Sequence, residues 1–211
     1  MVVRKRVGSR FDAIVFDLGG VLIELTGTAR MIQWTNGSMT GDELLRRWLS
    51  SPTVRRFETG RSRPAEFAKA VISEFNLPVG PEQFLEEFTS WTAKLNPGAL
   101  ALLRHLAGAA VLASLPNTNE LHWDRLCREL NLPAYFLYNF PSHMTGLIKP
   151  DREAFQNVID SLRFPAHRTL FFDDSALNVA AAAAAGMAAH QVRGVGEAAD
   201  KLKQSGFMIH I

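Results

Sequence analysis

The amino-acid sequence predicts an α/β fold, a doubly wound, Rossmann-like parallel sheet with a small helical-bundle cap inserted into it. Three short apolar runs that end in polar residues indicate buried parallel strands: residues 11–17, 111–115 and 169–172. Helical patterns separate these runs, and the order strand, helix, strand implies a parallel sheet with helices on both faces. A chain of 211 residues that is 47% apolar suffices for one such domain and a smaller insertion.

Each strand candidate is followed by a short polar or glycine-rich loop. These loops are Asp17-Leu18-Gly19-Gly20, Pro116-Asn117 and Asp173-Asp174. Weaker strand candidates are residues 134–140 and 187–192, and residues 207–211 are a candidate edge strand. The sheet is therefore expected to contain at least three central strands whose carboxyl ends carry polar groups.

Helix candidates lie between the strands, at residues 100–106, 153–162 and 179–185. The first two carry apolar residues three or four positions apart, the spacing of one helical face. The third is mostly alanine and is followed by Gly186, which favours a helix that stops there.

The insertion contains three helix signals and no convincing strand. We predict helices at residues 43–49, 65–75 and 82–95, because helix-starting residues precede each of them. The last helix carries an apolar stripe that predicts packing inside a bundle, formed by Phe84, Phe88, Trp91 and Leu95. The predicted division is a core domain at residues 1–25 and 97–211 and a helical cap at residues 26–96.

Composition argues against several classes of protein. The net charge is only +2, and the basic excess lies in an N-terminal cluster formed by Arg4, Lys5, Arg6 and Arg10. We interpret this cluster as a solvated tail. This pattern predicts no nucleic-acid partner.

A single cysteine, Cys127, excludes an internal disulfide and favours a reducing compartment. With no signal peptide and no apolar stretch of about 18 residues, we expect a soluble, cytoplasmic protein without a membrane partner. The sequence does not define an oligomeric state.

Polar side chains gather at the predicted carboxyl ends of the strands, where open parallel sheets bind ligands. Asp17 taken singly is explained equally well as a turn former, and Asp174 as a helix cap. Together, Asp17, Asp173 and Asp174 would repel one another unless a cation lay between them. A hard divalent ion with oxygen ligands resolves this repulsion, which predicts Mg²⁺.

Lys149 is a further candidate for the same site. Pro150 favours an extended backbone at Lys149, ahead of a predicted helix, where its ammonium could meet anionic oxygens. Taken alone, a lysine before a proline is usually a surface residue.

Four segments resemble the motifs of the haloacid dehalogenase superfamily, in the family's order. They are Phe-Asp-Leu-Gly-Gly-Val-Leu-Ile at residues 16–23, Pro-Asn-Thr-Asn at 116–119, Gly-Leu-Ile-Lys-Pro at 146–150, and Phe-Phe-Asp-Asp-Ser-Ala-Leu-Asn at 171–178. The resemblance runs over nearly the whole chain. The first motif is most similar to that of the subgroup that includes α-glucose-1-phosphatase.

The resemblance implies a magnesium-dependent phosphatase that acts on a small phosphorylated substrate. By this likeness, Asp17 attacks phosphorus to form an aspartyl-phosphate, and Lys149 neutralises Asp17 and the phosphate. The implied Mg²⁺ ligands are the Asp17 carboxylate, the Gly19 carbonyl and Asp174, with Asp173 binding directly or through water. The implied phosphate-binding groups are Asn117, Thr118 and the backbone of Gly19 and Gly20. Loose candidates for substrate contacts in the cap are Trp34, Trp48 and Arg61.

Two positions depart from the family pattern. Gly19 stands where these phosphatases commonly have an aspartate that protonates the leaving group, and Pro116 replaces a serine or threonine that binds phosphate. Thr118 is a candidate replacement for the lost hydroxyl. Candidates for the lost proton donor are His122, His143 or a cap residue. A sugar 1-phosphate, with its good leaving group, would suit an enzyme without this acid.

Two alternative functions stay open at this stage. A 2-haloacid dehalogenase also lacks the second aspartate, but needs no metal and leaves the pair Asp173-Asp174 unexplained. A catalytically weak member that binds a phosphorylated ligand or a protein partner would account for Gly19 and Pro116.

Overall fold

The computed structural model describes residues 10–209 of the chain. These residues form seven strands: β1 (Ala13–Phe16), β2 (Ile23–Leu25), β3 (Thr92–Leu95), β4 (Val111–Ser114), β5 (Tyr138–Asn139), β6 (Thr169–Asp173) and β7 (Ala188–Gln191). They also form eleven α-helices: α1 (Gly27–Trp34), α2 (Gly41–Ser50), α3 (Pro52–Glu58), α4 (Pro64–Phe75), α5 (Pro81–Thr89), α6 (Ala99–Leu106), α7 (Glu120–Arg128), α8 (Ser142–Thr145), α9 (Arg152–Leu162), α10 (Ala176–Ala184) and α11 (Gly194–Gln204).

A five-stranded parallel sheet in the order β5-β4-β1-β6-β7 forms the centre of the molecule. Ala13 of β1 pairs with Val111 of β4 on one side and with Thr169 of β6 on the other. All residues of β1, β4 and β6 are buried, which explains why these strands are unbroken apolar runs. The predicted doubly wound parallel sheet is confirmed.

Alternate side chains of β1 enter two apolar layers on opposite faces of the sheet, as the two-residue period of a strand requires. Ile14 and Phe16 pack in the layer that contains residues of α6 and α11. Ala13 and Val15 pack in the layer that contains residues of α9 and α10. Helices therefore cover both faces, and the ends of the strands are left for a site.

The helices α1 to α5, here called the cap helices, have a separate apolar cluster that is rich in aromatic rings. The rings of Phe57 and Phe67 stack with centroids 4.1 Å apart, and those of Phe84 and Phe88 with centroids 5.4 Å apart. The predicted bundle packing of Phe84, Phe88 and Trp91 is confirmed. Because this cluster is distinct from the two layers of the sheet, it supports the predicted division at residues 26–96, which stays a prediction.

Local signals set the starts of the cap helices. Thr40 and Glu43 form a reciprocal capping box at α2, and the Ser51 hydroxyl accepts a hydrogen bond from the Val54 N–H at α3. Proline occupies the first turn of α3, α4 and α5. The predicted helices near residues 43, 65 and 82 are present, and α1 and α3 add two that the sequence analysis missed.

The prediction that residues 26–96 contain no strand is wrong. The helix predicted at residues 82–95 ends at Thr89, and Thr92–Leu95 is the strand β3, which pairs antiparallel with β2. Leu95 lies opposite Ile23 in this ladder, so a tertiary partner overrides the helical spacing of the apolar residues. The two segments that join the cap helices to the sheet therefore run side by side.

The structure also changes the strands predicted at residues 134–140 and 207–211. The candidate strand at residues 134–140 shortens to Tyr138–Asn139, because Leu132–Tyr135 forms a 3₁₀ turn. Residues 207–209 form no strand, and the last two residues of that candidate lie outside the described part. The basic residues 4–6 also lie outside it. No helix within residues 10–209 is long and apolar enough to cross a membrane.

Candidate active site

Three acidic side chains meet at the carboxyl edge of the sheet. Asp17 directly follows β1, Asp173 ends β6 and Asp174 comes next, and β1 and β6 are neighbours. One carboxylate oxygen from each of the three lies within 4.8 Å of the others. The edge of the sheet thus brings together the acids that the sequence analysis selected.

Lys149 lies buried among these acids. Its Nζ is 2.9 Å from Asp17 Oδ1 and 2.6 Å from Asp173 Oδ2, and the residue is 3% exposed. Burial lowers the pKa of Lys149, but the charges of Asp17 and Asp173 outweigh burial, so the pKa is raised and the ammonium stays charged. Lys149 is therefore a fixed positive charge beside Asp17.

Asn117 holds the backbone of Lys149. The Lys149 N–H donates to Asn117 Oδ1 at 2.9 Å, and Asn117 Nδ2 donates to the Lys149 carbonyl at 2.8 Å. Asn117 also lines the cavity described below. Its amide is thus engaged in positioning the lysine, whereas the sequence analysis expected it on phosphoryl oxygens.

Asp173 is fully buried and its carboxylate is surrounded by donors. Oδ1 accepts from the Ser175 N–H at 2.9 Å and from Asn178 Nδ2 at 3.0 Å, while Oδ2 accepts from Lys149. Asp173 therefore orients Lys149, and Asp174, which is only partly buried, is the more accessible of the pair.

The site carries more negative than positive charge. Burial raises the pKa of Asp17 to about 7, Lys149 opposes this shift, and Asp173 and Asp174 add to it. Burial and the charge of Asp173 also raise the pKa of Asp174. Three carboxylates against one ammonium leave an excess that a hard cation with oxygen ligands would neutralise. The donor set therefore fits Mg²⁺.

The two glycines after Asp17 make room for different neighbours. Gly20 has φ +68°, and a Cβ there would lie 2.2 Å from Asp174 Oδ2, so glycine lets Asp174 approach the loop. A Cβ on Gly19 would lie 2.8 Å from Leu25 Cδ1. The side chain of Leu25 therefore occupies the space beside Gly19.

Thr118 is nearly buried beside the second strand end. Its N–H donates to Ser142 Oγ at 2.8 Å, and that hydroxyl donates to the Thr118 carbonyl at 2.9 Å. Thr118 and Pro116 both line the cavity. The predicted role of Thr118 in phosphate binding stays a prediction.

A cavity of about 740 Å³ lies between the edge of the sheet and the cap helices. Asp17, Lys149 and Asp174 form its polar end. Most of the remaining wall is apolar and includes Leu25, Leu45, Trp48, Leu49, Phe88 and Leu177. Four of these residues are leucines that are about half exposed or more, so the mouth of the cavity is apolar as well.

Of the loose cap candidates, only Trp48 lines this cavity; Trp34 is buried in the aromatic cluster and Arg61 is exposed elsewhere. The sequence analysis missed Glu58, which lines the cavity from the end of α3. No local pattern distinguishes Glu58 from other helical glutamates, because its position depends on how the cap helices pack on the sheet domain.

Neither candidate histidine is suited to donate a proton. His122 Nε2 donates to the Phe88 carbonyl at 2.7 Å, and Nδ1 accepts from Asn119 Nδ2 at 3.1 Å, so both ring nitrogens are engaged. Burial lowers the pKa of His122 to about 4, which keeps the ring neutral. His143 is absent from the described lining of the cavity.

A sheet whose strand ends hold these acids and a buried lysine, covered by an inserted helical unit, defines a class of hydrolase. The model of the haloacid dehalogenase-like hydrolases matches residues 11–186, and the chain belongs to that family.

Individual relatives resemble the chain over most of its length. A sesquiterpene phosphatase, astK, of Aspergillus oryzae is 31% identical over 181 residues, covering 84% of this chain and 87% of the relative. The family enzyme bt-2542 of Bacteroides thetaiotaomicron, solved with magnesium and inorganic phosphate, is 25% identical with a TM-score of 0.70 and covers 87% of this chain and 94% of its own. An L-2-haloacid dehalogenase of Xanthobacter autotrophicus is 20% identical with a TM-score of 0.62, covers 86% of this chain and 77% of its own, and shares the fold.

Proposed function

We propose that the protein is a magnesium-dependent phosphatase that hydrolyses a small phosphate monoester through an aspartyl-phosphate on Asp17. The observation that carries the proposal is the contact of Asp17 with the buried ammonium of Lys149 at the polar end of one cavity. The similarity to a phosphatase and to an enzyme solved with magnesium and phosphate supports it.

In this proposal Asp17 attacks phosphorus in line with the leaving oxygen, and Lys149 stabilises the charge on the phosphoryl oxygens. Asp17, the Gly19 carbonyl and Asp174 would hold Mg²⁺, with Asp173 binding directly or through water. The ion would supply further charge stabilisation at the phosphoryl group. Asn117 keeps Lys149 in place, and Thr118 and the Gly19-Gly20 backbone are the proposed phosphate contacts. The cap helices exclude water from the polar end.

We further propose that the substrate carries an apolar group rather than the sugar suggested by the sequence resemblance. A sugar in the cavity would place its hydroxyls against the leucines of the wall, which offer no hydrogen bonds. An alkyl or isoprenoid chain would instead bury apolar surface against Leu45, Leu49 and Leu177. The sesquiterpene phosphatase among the relatives is consistent with such a substrate.

Phosphate release from farnesyl phosphate and from glucose 1-phosphate, with Mg²⁺ or with EDTA, tests both proposals. We expect farnesyl phosphate to have the higher kcat/KM, EDTA to remove activity, and Asp17→Asn to lower kcat by about 10⁴-fold or more while leaving the fold intact. Halide release from a 2-haloacid that survives EDTA would favour the dehalogenase alternative. Thermal stabilisation by Mg²⁺ and phosphate without turnover would favour a binding protein.

A further inference from the structure

Within residues 10–209, the loop after β1 carries no side chain at Gly19 that could protonate the leaving oxygen. A Cβ on Gly19 would meet Leu25, so an apolar side chain fills the adjacent space. Asp173 is engaged with Lys149, and Asp174 belongs to the proposed metal site. An alkoxide is a poor leaving group, so hydrolysis of an alkyl phosphate needs a proton from some other group.

Glu58 is a carboxyl that the cap helices contribute to the same cavity. Among the described residues that line the cavity, the carboxyl side chains are those of Asp17, Asp174 and Glu58, and Glu58 alone belongs to the cap helices. It is partly buried at the last position of α3, and Trp48 lines the same cavity.

The end of α3 is fixed against the sheet domain near this position. Arg55, one turn before Glu58, forms an ion pair with Asp151, just before α9. Gly60 has φ +71°, and a Cβ there would lie 2.3 Å from the His143 carbonyl oxygen, so the two backbones are in close contact. Glu58 is therefore held at the cavity by contacts on both sides of it in the sequence.

We infer that Glu58 is the general acid and base of the proposed phosphatase reaction, donating a proton across the cavity to the leaving oxygen and then accepting one from the attacking water. This role rests on the proposed function. It assigns to the cap a catalytic group that family members commonly carry at the position of Gly19.

The electrostatic environment of Glu58 suits both halves of this role. Burial raises the pKa of Glu58 to about 7, Lys149 opposes the shift and Asp17 adds to it. A group with a pKa near the working pH is protonated often enough to act as an acid and ionised often enough to act as a base. Other charged groups that line the cavity are Arg46, Arg55, Asp174 and Arg193.

The proton and electron balance is complete without another reactant. Asp17 forms the bond to phosphorus, the bond from phosphorus to the leaving oxygen breaks, and that oxygen takes the Glu58 proton to become an alcohol. Glu58, now a carboxylate, takes a proton from water as the water oxygen attacks the phosphoryl group. The bond between Asp17 and phosphorus breaks, phosphate leaves, and both carboxyl groups regain their starting states.

The test compares leaving groups in Glu58→Gln. The first half-reaction is measured by rapid mixing with n-decyl phosphate, whose leaving group needs a proton, and with p-nitrophenyl phosphate, whose leaving group does not. We expect Glu58→Gln to slow the first by about 10²- to 10⁴-fold and the second by less than about threefold. A merely structural role would slow both substrates by the same factor, and that result would overturn the inference.

Hydrolysis of the aspartyl-phosphate, the second half-reaction, gives an independent test of the role of Glu58. Without a base, Glu58→Gln should retain the aspartyl-phosphate, so p-nitrophenyl phosphate should give a burst of product equal to the enzyme concentration, followed by slow turnover. A variant with neither a burst nor selective slowing contradicts the inference. Glu58→Asp keeps a carboxyl and should restore part of the lost rate with n-decyl phosphate.

The matched control is Glu86→Gln, which removes an exposed carboxyl of the cap helices that does not line the cavity. It should behave as the unaltered enzyme with both substrates. Absence of phosphate release by the unaltered enzyme with Mg²⁺ would overturn the proposed function, and the role of Glu58 with it. Equal slowing of both substrates in an active enzyme overturns the role of Glu58 alone.

Discussion

Lys149 is a buried cation between two carboxylates, and this arrangement combines a structural and a chemical role. Its ammonium contacts Asp17 and Asp173, which lie at the ends of adjacent strands. Without it, the two acids would face each other at low dielectric constant. The same charge that stabilises the folded site is also the one that meets an incoming phosphate in the proposed reaction.

We predict that Lys149→Met destabilises the protein by about 3–5 kcal/mol in EDTA, because it leaves buried carboxylates uncompensated. Lowering the pH should restore part of the loss, since the free carboxylates then take up protons. Urea unfolding followed by circular dichroism measures the effect. Lys94→Met, which removes an exposed ion pair with Glu24, is the control and should cost at most about 1 kcal/mol. Equal losses in the two variants would contradict the prediction.

A second prediction at this scale concerns Gly20. Gly20→Ala and Gly37→Ala both place a Cβ at φ +68°, but only the alanine at position 20 meets another group, Asp174 Oδ2. The backbone strain, about 1–2 kcal/mol, is therefore common to both variants. We expect Gly20→Ala to lose additional stability and to weaken Mg²⁺ binding, measured as the shift of Tm with added Mg²⁺. Identical behaviour of the two variants would show that Asp174 is not crowded.

The sequence predicts some site residues and not others, for a physical reason. Asp17, Asp173 and Asp174 could be predicted because neighbouring parallel strands end at the same edge of a sheet. Lys149 could be selected from its proline and its motif. Glu58 could not, because its place at the cavity depends on contacts such as that between Arg55 and Asp151, 96 residues apart.

At the scale of elements, helices were predicted where local signals start them. Strand β3 was missed because its partner is distant in sequence. Glu24 and Lys94 are paired across the ladder, although the whole cap separates them along the chain. The apolar residues near the end of α5 fit a helical face, so the spacing alone gave no indication of a strand. Short strands of this kind are specified by tertiary pairing rather than by local preference.

His122 joins two elements, because it lies on α7 and donates to the carbonyl of Phe88 on α5. Its pKa is about 4 in the folded state against 6.5 as the ordinary value, so the unfolded chain binds the proton more readily. The contribution of the neutral His122 ring to stability should therefore be complete above about pH 6.5 and fall as the pH drops toward 4. Thermal unfolding at a series of pH values measures this loss.

His122→Gln keeps a donor for the Phe88 carbonyl but cannot titrate in this range. The variant should show a smaller fall in Tm between pH 7 and pH 5. Part of the fall should remain, because burial also lowers the pKa of His143 and His190. His167→Gln, at an exposed position, is the control and should leave the fall unchanged. A pH dependence in His122→Gln equal to that of the unaltered protein would refute the assignment.

At the scale of the whole molecule, the apolar interior is divided. Two layers cover the faces of the sheet, and a third cluster fills the cap helices. The cavity lies where the cap helices meet the ends of the strands. The sheet half therefore provides the proposed nucleophile and metal ligands, and both halves contribute apolar residues to the cavity wall.

We predict that the cap helices can open without loss of the sheet. Phe67→Ala removes a ring that contacts four other aromatic residues and should cost about 3–5 kcal/mol within the cap. Hydrogen exchange should then accelerate in α1 to α5 while the amides of β1 and β6 stay protected. Phe155→Ala, under the sheet, is the matched variant and should expose the strand amides. Acceleration of all amides alike in Phe67→Ala would indicate a single cooperative unit.

The ladder between β2 and β3 has a mechanical consequence. The chain leaves for the cap helices and returns from them along two hydrogen-bonded segments about 5 Å apart. Because hydrogen bonds join the two segments, neither can move far without the other. Any displacement of the cap helices relative to the sheet must therefore be carried by both strands together.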